Sequence, residues 1–89
     1  MRKVNEEIID ELAKEDRLLA ILLSKLAEAA NEKRVAKVTW KKLGKMVGEA
    51  PEGLFQPLYQ LGELGLIEEV KRDSRGNEYL IAEKMFYEQ

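Results

Sequence analysis

The stretch "RLLAILLSKLAEA", residues 17–29, constrains the fold most tightly. Leu18, Leu19, Ile21, Leu22, Leu23 and Leu26 recur at helical spacing and cover much of the helix circumference. A helix apolar on so many sides has to be wrapped by other elements, so it belongs at the centre of the domain. Just before it, "KEDR" interrupts the apolar line at Glu15, and Asp16 can cap a fresh helix. The pattern predicts one helix from about 4 to 15 and a second from about 17 to 31, with a single bent helix as the alternative.

The elements that must wrap it follow in order. "RVAKVTW" is a short β-prone run whose Thr39 suits the N-cap of a helix from Trp40 to about Val47. Leu43, Met46 and Val47 are expected inside, with Lys41, Lys42 and Lys45 outside. Gly48 fits a left-handed residue after that helix, and Pro51 fits the first position of the next. In that third helix Leu54, Leu58, Leu61 and Leu64 line one face. Glu52, Gln56, Tyr59 and Glu63 line the other, flanked by Phe55 and Gln60. Pro57 should kink the helix or restart it at 57, because it removes a backbone donor. Gly65 ends it. "LIEEVKR" and "EYLIA" read as two strands around the hairpin loop "DSRGN", and "EKMFYEQ" as a helical turn docked on the first helix or a frayed end. The expected core joins Leu19, Leu22, Leu26, Val38, Leu43, Val47, Leu58, Leu61 and Ile67.

Eighty-nine residues make one domain, and a chain of this size buries only about 60% of its unfolded surface. It contains neither His nor Cys, which removes the commonest general base, the thiolate nucleophile and most transition-metal sites. No glycine run matches a phosphate-binding loop. The expectation is a protein that binds rather than catalyses, with no cofactor and no metal. Charged residues are 36% of the chain, mostly Glu and Lys, above the usual quarter, which with the absence of Cys points to a heat-adapted cytoplasmic protein. The start has no apolar signal region and no run approaches a membrane span, so neither secretion nor a membrane is expected.

The net charge of −2 conceals a segregation. Residues 31–48 carry six bases (Lys33, Arg34, Lys37, Lys41, Lys42, Lys45) against Glu32 alone, whereas residues 49–70 carry five glutamates and no base. Lys71, Arg72 and Arg75 then surround Asp73 in the hairpin.

Helix, short strand, helix, turn, helix and a hairpin with a basic tip: over residues 17–82 this order resembles the winged helix-turn-helix superfamily. "VTWKKLGKMVG", Gly48 at the turn, "LYQLGELGLIEE" and "VKRDSRGNEYL" carry the resemblance. It implies an α+β, mostly α fold, a helix bundle plus a small antiparallel wing sheet. Residues 1–15 would be an N-terminal helical extension and residues 83–89 a tail. It also implies sequence-selective binding of double-stranded DNA, as in a homodimeric transcriptional regulator. Lys41, Lys42, Lys45, Lys71, Arg72 and Arg75 would meet phosphates, and Gln56, Tyr59 and Gln60 would read the groove. Two features depart from the family pattern: Pro57 within the third helix, and the acidic stripe on that helix. The alternative is a protein-interaction module of a replication or transcription assembly, contacting its partner through Phe55 and Tyr59. Ile8, Ile9 and Leu12, with Met85 and Phe86, are the expected dimer seam, unless they pack on the domain's own core.

Overall fold

The structure, a computed structural model, describes residues 2–73 and 76–88. Its elements are β1 (Arg2–Val4), α1 (Glu6–Glu15), α2 (Arg17–Ala29), β2 (Val35–Val38), α3 (Trp40–Val47), a 3-10 turn (Pro51–Leu54), α4 (Phe55–Glu63), β3 (Ile67–Asp73), β4 (Gly76–Ile81), a 3-10 turn (Glu83–Met85) and β5 (Phe86–Glu88). The result is an α+β domain, mostly helical, with a three-stranded antiparallel sheet of order β2-β4-β3 and a separate β1–β5 ribbon.

The central position expected of α2 is observed. Leu22, Leu23 and Leu26 are fully buried, and α2 touches α1, α3, α4 and strands of both sheets. The break before it is real: the Asp16 carboxylate accepts from the backbone N–H groups of Leu18 and Leu19 at 3.0 and 3.2 Å. Thr39 Oγ1 likewise accepts from Lys42 N at 3.0 Å to start α3. Gly48, in the left-handed region at φ 77°, closes α3.

The core is the one expected, with small exceptions. Leu19, Leu22, Leu26, Val38, Leu43, Leu58, Leu61 and Ile67 are buried, and Val47 packs on their edge. Met46 is exposed, not inside, because α3 has only eight residues and its last turn overhangs the core. Leu64 is exposed as well, and Leu66 beyond the helix end takes the buried place instead. Gly44 is needed for a close approach: a Cβ there would run into the Glu49 backbone oxygen.

The Pro57 problem has a local solution. The third helical segment is split into a 3-10 turn opened by Pro51 and a true α-helix beginning at Phe55. Pro57 therefore lies in the first turn of α4, where a backbone N–H would have no intrahelical partner to lose.

Both chain ends depart from expectation. The first helix starts at Glu6, not near 4, because Asn5 caps it by accepting from Glu7 N at 3.2 Å. Residues before the cap form β1, paired with β5 in the register Arg2↔Glu88, Lys3↔Tyr87, Val4↔Phe86. The tail is thus neither frayed nor only a helical turn. Asn5 N donates to the Met85 carbonyl at 2.7 Å, and Asn5 Nδ2 to the Lys84 carbonyl at 3.1 Å. This removes Met85 and Leu12 from the expected dimer seam. Met85 is fully buried and Leu12 nearly so within one chain, while Ile8, Ile9 and Phe86 are half-buried against the same core. On α1 it is Leu12 that the core takes up, while Ile8 and Ile9 keep part of their surface exposed.

Candidate binding cleft

The strand register explains the most distinctive surface of the molecule. In β3–β4, Glu69 faces Tyr79 and Arg72 faces Asn77, but Lys71 faces Glu78, so Val70 is an extra, bulged residue. Residues three apart in a regular strand point to opposite faces. The bulge puts Glu69 and Arg72 on one face, that of Asn77 and Tyr79, which is also the buried face of the sheet. Arg72 Nη2 can then donate to Glu69 Oε2 at 3.0 Å, and its guanidinium lies over the Trp40 ring, 5.5 Å from the centroid.

Beyond the cover of α4, this face opens into a cleft of about 480 Å³ between α4 and β3. Phe55, Tyr59 and Glu63 form one wall, Glu68, Glu69 and Arg72 the other, and Trp40 lies at the α3 end. Phe55 and Tyr59, one helical turn apart, stack with ring centroids 6.5 Å apart, yet both stay more than half exposed. The Glu68 side chain, opposite Leu80, lies on the other face of the sheet, so the cleft carries two carboxylates, Glu63 and Glu69, and one guanidinium, which Glu69 already neutralises.

A hydrogen-bonded floor supports it. Trp40 Nε1 donates to Tyr79 Oη at 2.7 Å and Asn77 Nδ2 donates to the same oxygen at 3.1 Å. Burial pushes the Tyr79 pKa above the usual phenol value, against the opposing pull of these two donors. On the α4 wall the Glu63 carboxylate, one turn on from Tyr59, favours the protonated phenol and raises the Tyr59 pKa too. The Glu69 carboxylate favours the charged form of Arg72.

The expected DNA contacts are spread over α3, α4 and the β3–β4 hairpin. Lys41, Lys42 and Lys45 are exposed on α3, and none has an ion-pair partner among the described residues. Lys71 and Arg72 fall on opposite faces of the hairpin, with Lys71 Nζ 3.9 Å from Glu78, and Arg75 lies outside the described residues. Arg34 is no surface base, since its Nη1 donates to the Ile81 carbonyl at 2.8 Å. Gln56 and Gln60 are exposed on α4 but do not line the cleft, whereas Tyr59 does.

The sequence reasoning missed Trp40, Glu69 and Tyr79. No signal in the strand sequence marks Val70 as the bulge. Among the described residues no group of three or more His, Cys, Asp or Glu side chains could hold a metal ion, and no helix is long and apolar enough to cross a membrane. Comparison of the chain with protein-family models, curated proteins and solved structures finds no match in any of the three.

Proposed function

We propose that this chain is a winged helix-turn-helix module that docks a segment of another protein in the cleft between α4 and β3. The element order from α2 to the hairpin and the β2-β4-β3 sheet support the fold assignment. The observation that carries the function is the exposed Phe55–Tyr59 stack walling a cleft whose uncompensated charge is the Glu63 carboxylate. Phosphates of a duplex would be repelled there, whereas apolar surface is attracted. A working assembly for replication or transcription suits such a module.

A second reading, a homodimeric DNA-binding transcriptional regulator, is favoured by the unpaired row Lys41, Lys42 and Lys45. If those three ammonium groups meet phosphates in each protomer of the dimer, log affinity for duplex DNA should fall with log salt at a slope of about 5.4.

One pair of measurements separates the readings. Random-sequence peptides displayed on phage are selected against the whole chain, then counter-screened against Phe55→Ala. Binders that lose affinity on that substitution are expected, and their absence sinks the docking reading. Random duplex DNA is titrated in parallel at about 50 mM salt, where non-specific binding is strong. Duplex affinity lost on replacing the three lysines would establish the second reading.

A further inference from the structure

The chemistry of the cleft points to a specific class of occupant. Its two walls combine ring faces with carboxylates: Phe55, Tyr59 and Glu63 on α4, and Glu69 on β3 beside Trp40. A guanidinium or ammonium satisfies both at once, through a charge-assisted hydrogen bond and a cation–π contact. The molecule already contains one instance of this pairing. Arg72 places its guanidinium over Trp40 and on Glu69, although its own side chain remains 58% exposed. An ion pair so exposed is held weakly, so a better-placed cation can displace it.

We propose that the partner segment inserts an arginine or lysine side chain, next to an apolar residue, into the cleft. The cation takes the place that Arg72 holds against Glu69 and Trp40, and the apolar residue covers Phe55 and Tyr59. Arg72 is then an internal occupant that keeps the carboxylate and the ring satisfied until the partner arrives. Two further features fit this arrangement. Glu63 leaves the cleft with a surplus of negative charge after Arg72 and Glu69 cancel. The bulge at Val70 sets the spacing that lets Arg72 reach Glu69, so the slot exists only because β3 is irregular there. The inference rests on the docking function proposed above and names the chemistry of its partner.

The peptides that survive the Phe55→Ala counter-screen provide the test. Their aligned sequences should be enriched in Arg or Lys beside an aliphatic or aromatic residue. A representative synthetic peptide is titrated against the whole chain, with emission from Trp40, the chain's one tryptophan, as the readout. Glu69→Gln, verified as folded by circular dichroism, should weaken binding about tenfold, since it removes the carboxylate partner of the cation, and Glu63→Gln should weaken it less, since it removes only the surplus charge. Arg72→Gln should tighten it by up to about fivefold, by removing the internal competitor. Cleft-dependent peptides without a basic residue would overturn the cation assignment and leave the docking function standing. Weaker binding to Arg72→Gln would overturn it too, because it would mean that the occupant is an anion. A selection that yields no Phe55-dependent peptide would overturn both.

Discussion

Replacing Tyr79 with Phe removes one oxygen and leaves two donors without their acceptor. Tyr79 is 1% exposed, and its hydroxyl oxygen accepts from Trp40 Nε1 at 2.7 Å and Asn77 Nδ2 at 3.1 Å. Trp40 borders the cleft, so water can replace the lost acceptor there at little cost. Asn77 is only 9% exposed and cannot be rescued so readily. A buried donor left unsatisfied costs about 1–3 kcal/mol, so Tyr79→Phe should lose about 2 kcal/mol. For a domain of this length that is a fall in Tm of roughly 8–16 °C. Urea unfolding followed by Trp40 emission measures it, with a loss below about 0.5 kcal/mol refuting the shared-acceptor arrangement. The pH dependence gives a second check. Burial raises the Tyr79 pKa above its ordinary value of 10.0, so the folded state keeps this proton to higher pH than the unfolded chain. The associated stability is complete below about pH 10 and is lost as pH climbs through the folded pKa. Tyr79→Phe has no such proton, and its deficit relative to wild type should shrink above about pH 10. A deficit that stays constant from pH 7 to 11 would contradict that shift.

Three more substitutions test the packing. Leu12→Glu places a carboxylate in the chain's own core and should abolish or severely weaken cooperative unfolding; an unchanged urea midpoint would return Leu12 to a surface seam. Gly44→Ala gains helix propensity but drives a methyl into the Glu49 carbonyl, so the net change should be a loss of about 1–3 kcal/mol in the same assay, and a gain would rule out the close approach. Pro57→Ala should lose about 0.4–1 kcal/mol, because the proline restricts the unfolded chain without breaking a native hydrogen bond; increased stability would place it in a helix interior instead.

Much of the fold was legible because short-range rules governed it. Asp16, Thr39 and Gly48 are read from their own cap and turn chemistry, and the helices they bound follow. The aliphatic run of α2 announced the core for a similar reason: so wide an apolar face has one stable location. What the sequence hid depended on pairing across long separations. β1 is three residues without an apolar pattern, and it exists as a strand because β5, more than eighty residues away, lies beside it. The site was hidden by a single residue of register. Read as a regular strand, "LIEEVKRD" sends Glu69 and Arg72 to opposite faces, and the aromatic–acidic cleft disappears. Lys71 and Arg72, neighbours in sequence and alike in charge, suggested one basic surface, but a strand alternates its side chains and divides them.

The β1–β5 ribbon also fixes how the domain responds to tension. Residues 2 and 88 are antiparallel partners, so a pull on the chain at these two points acts across the strands, not along them. Each hydrogen bond is loaded in turn and opens alone, at a cost of about 0.5–1.5 kcal/mol. The ribbon should therefore peel at low force until the load reaches the Asn5–Met85 bond and the buried Met85 side chain behind it. The sheet and the cleft beside α4 are not in the line of force during that peeling. Held by both ends, the domain would give way first at its ends and keep its binding surface intact.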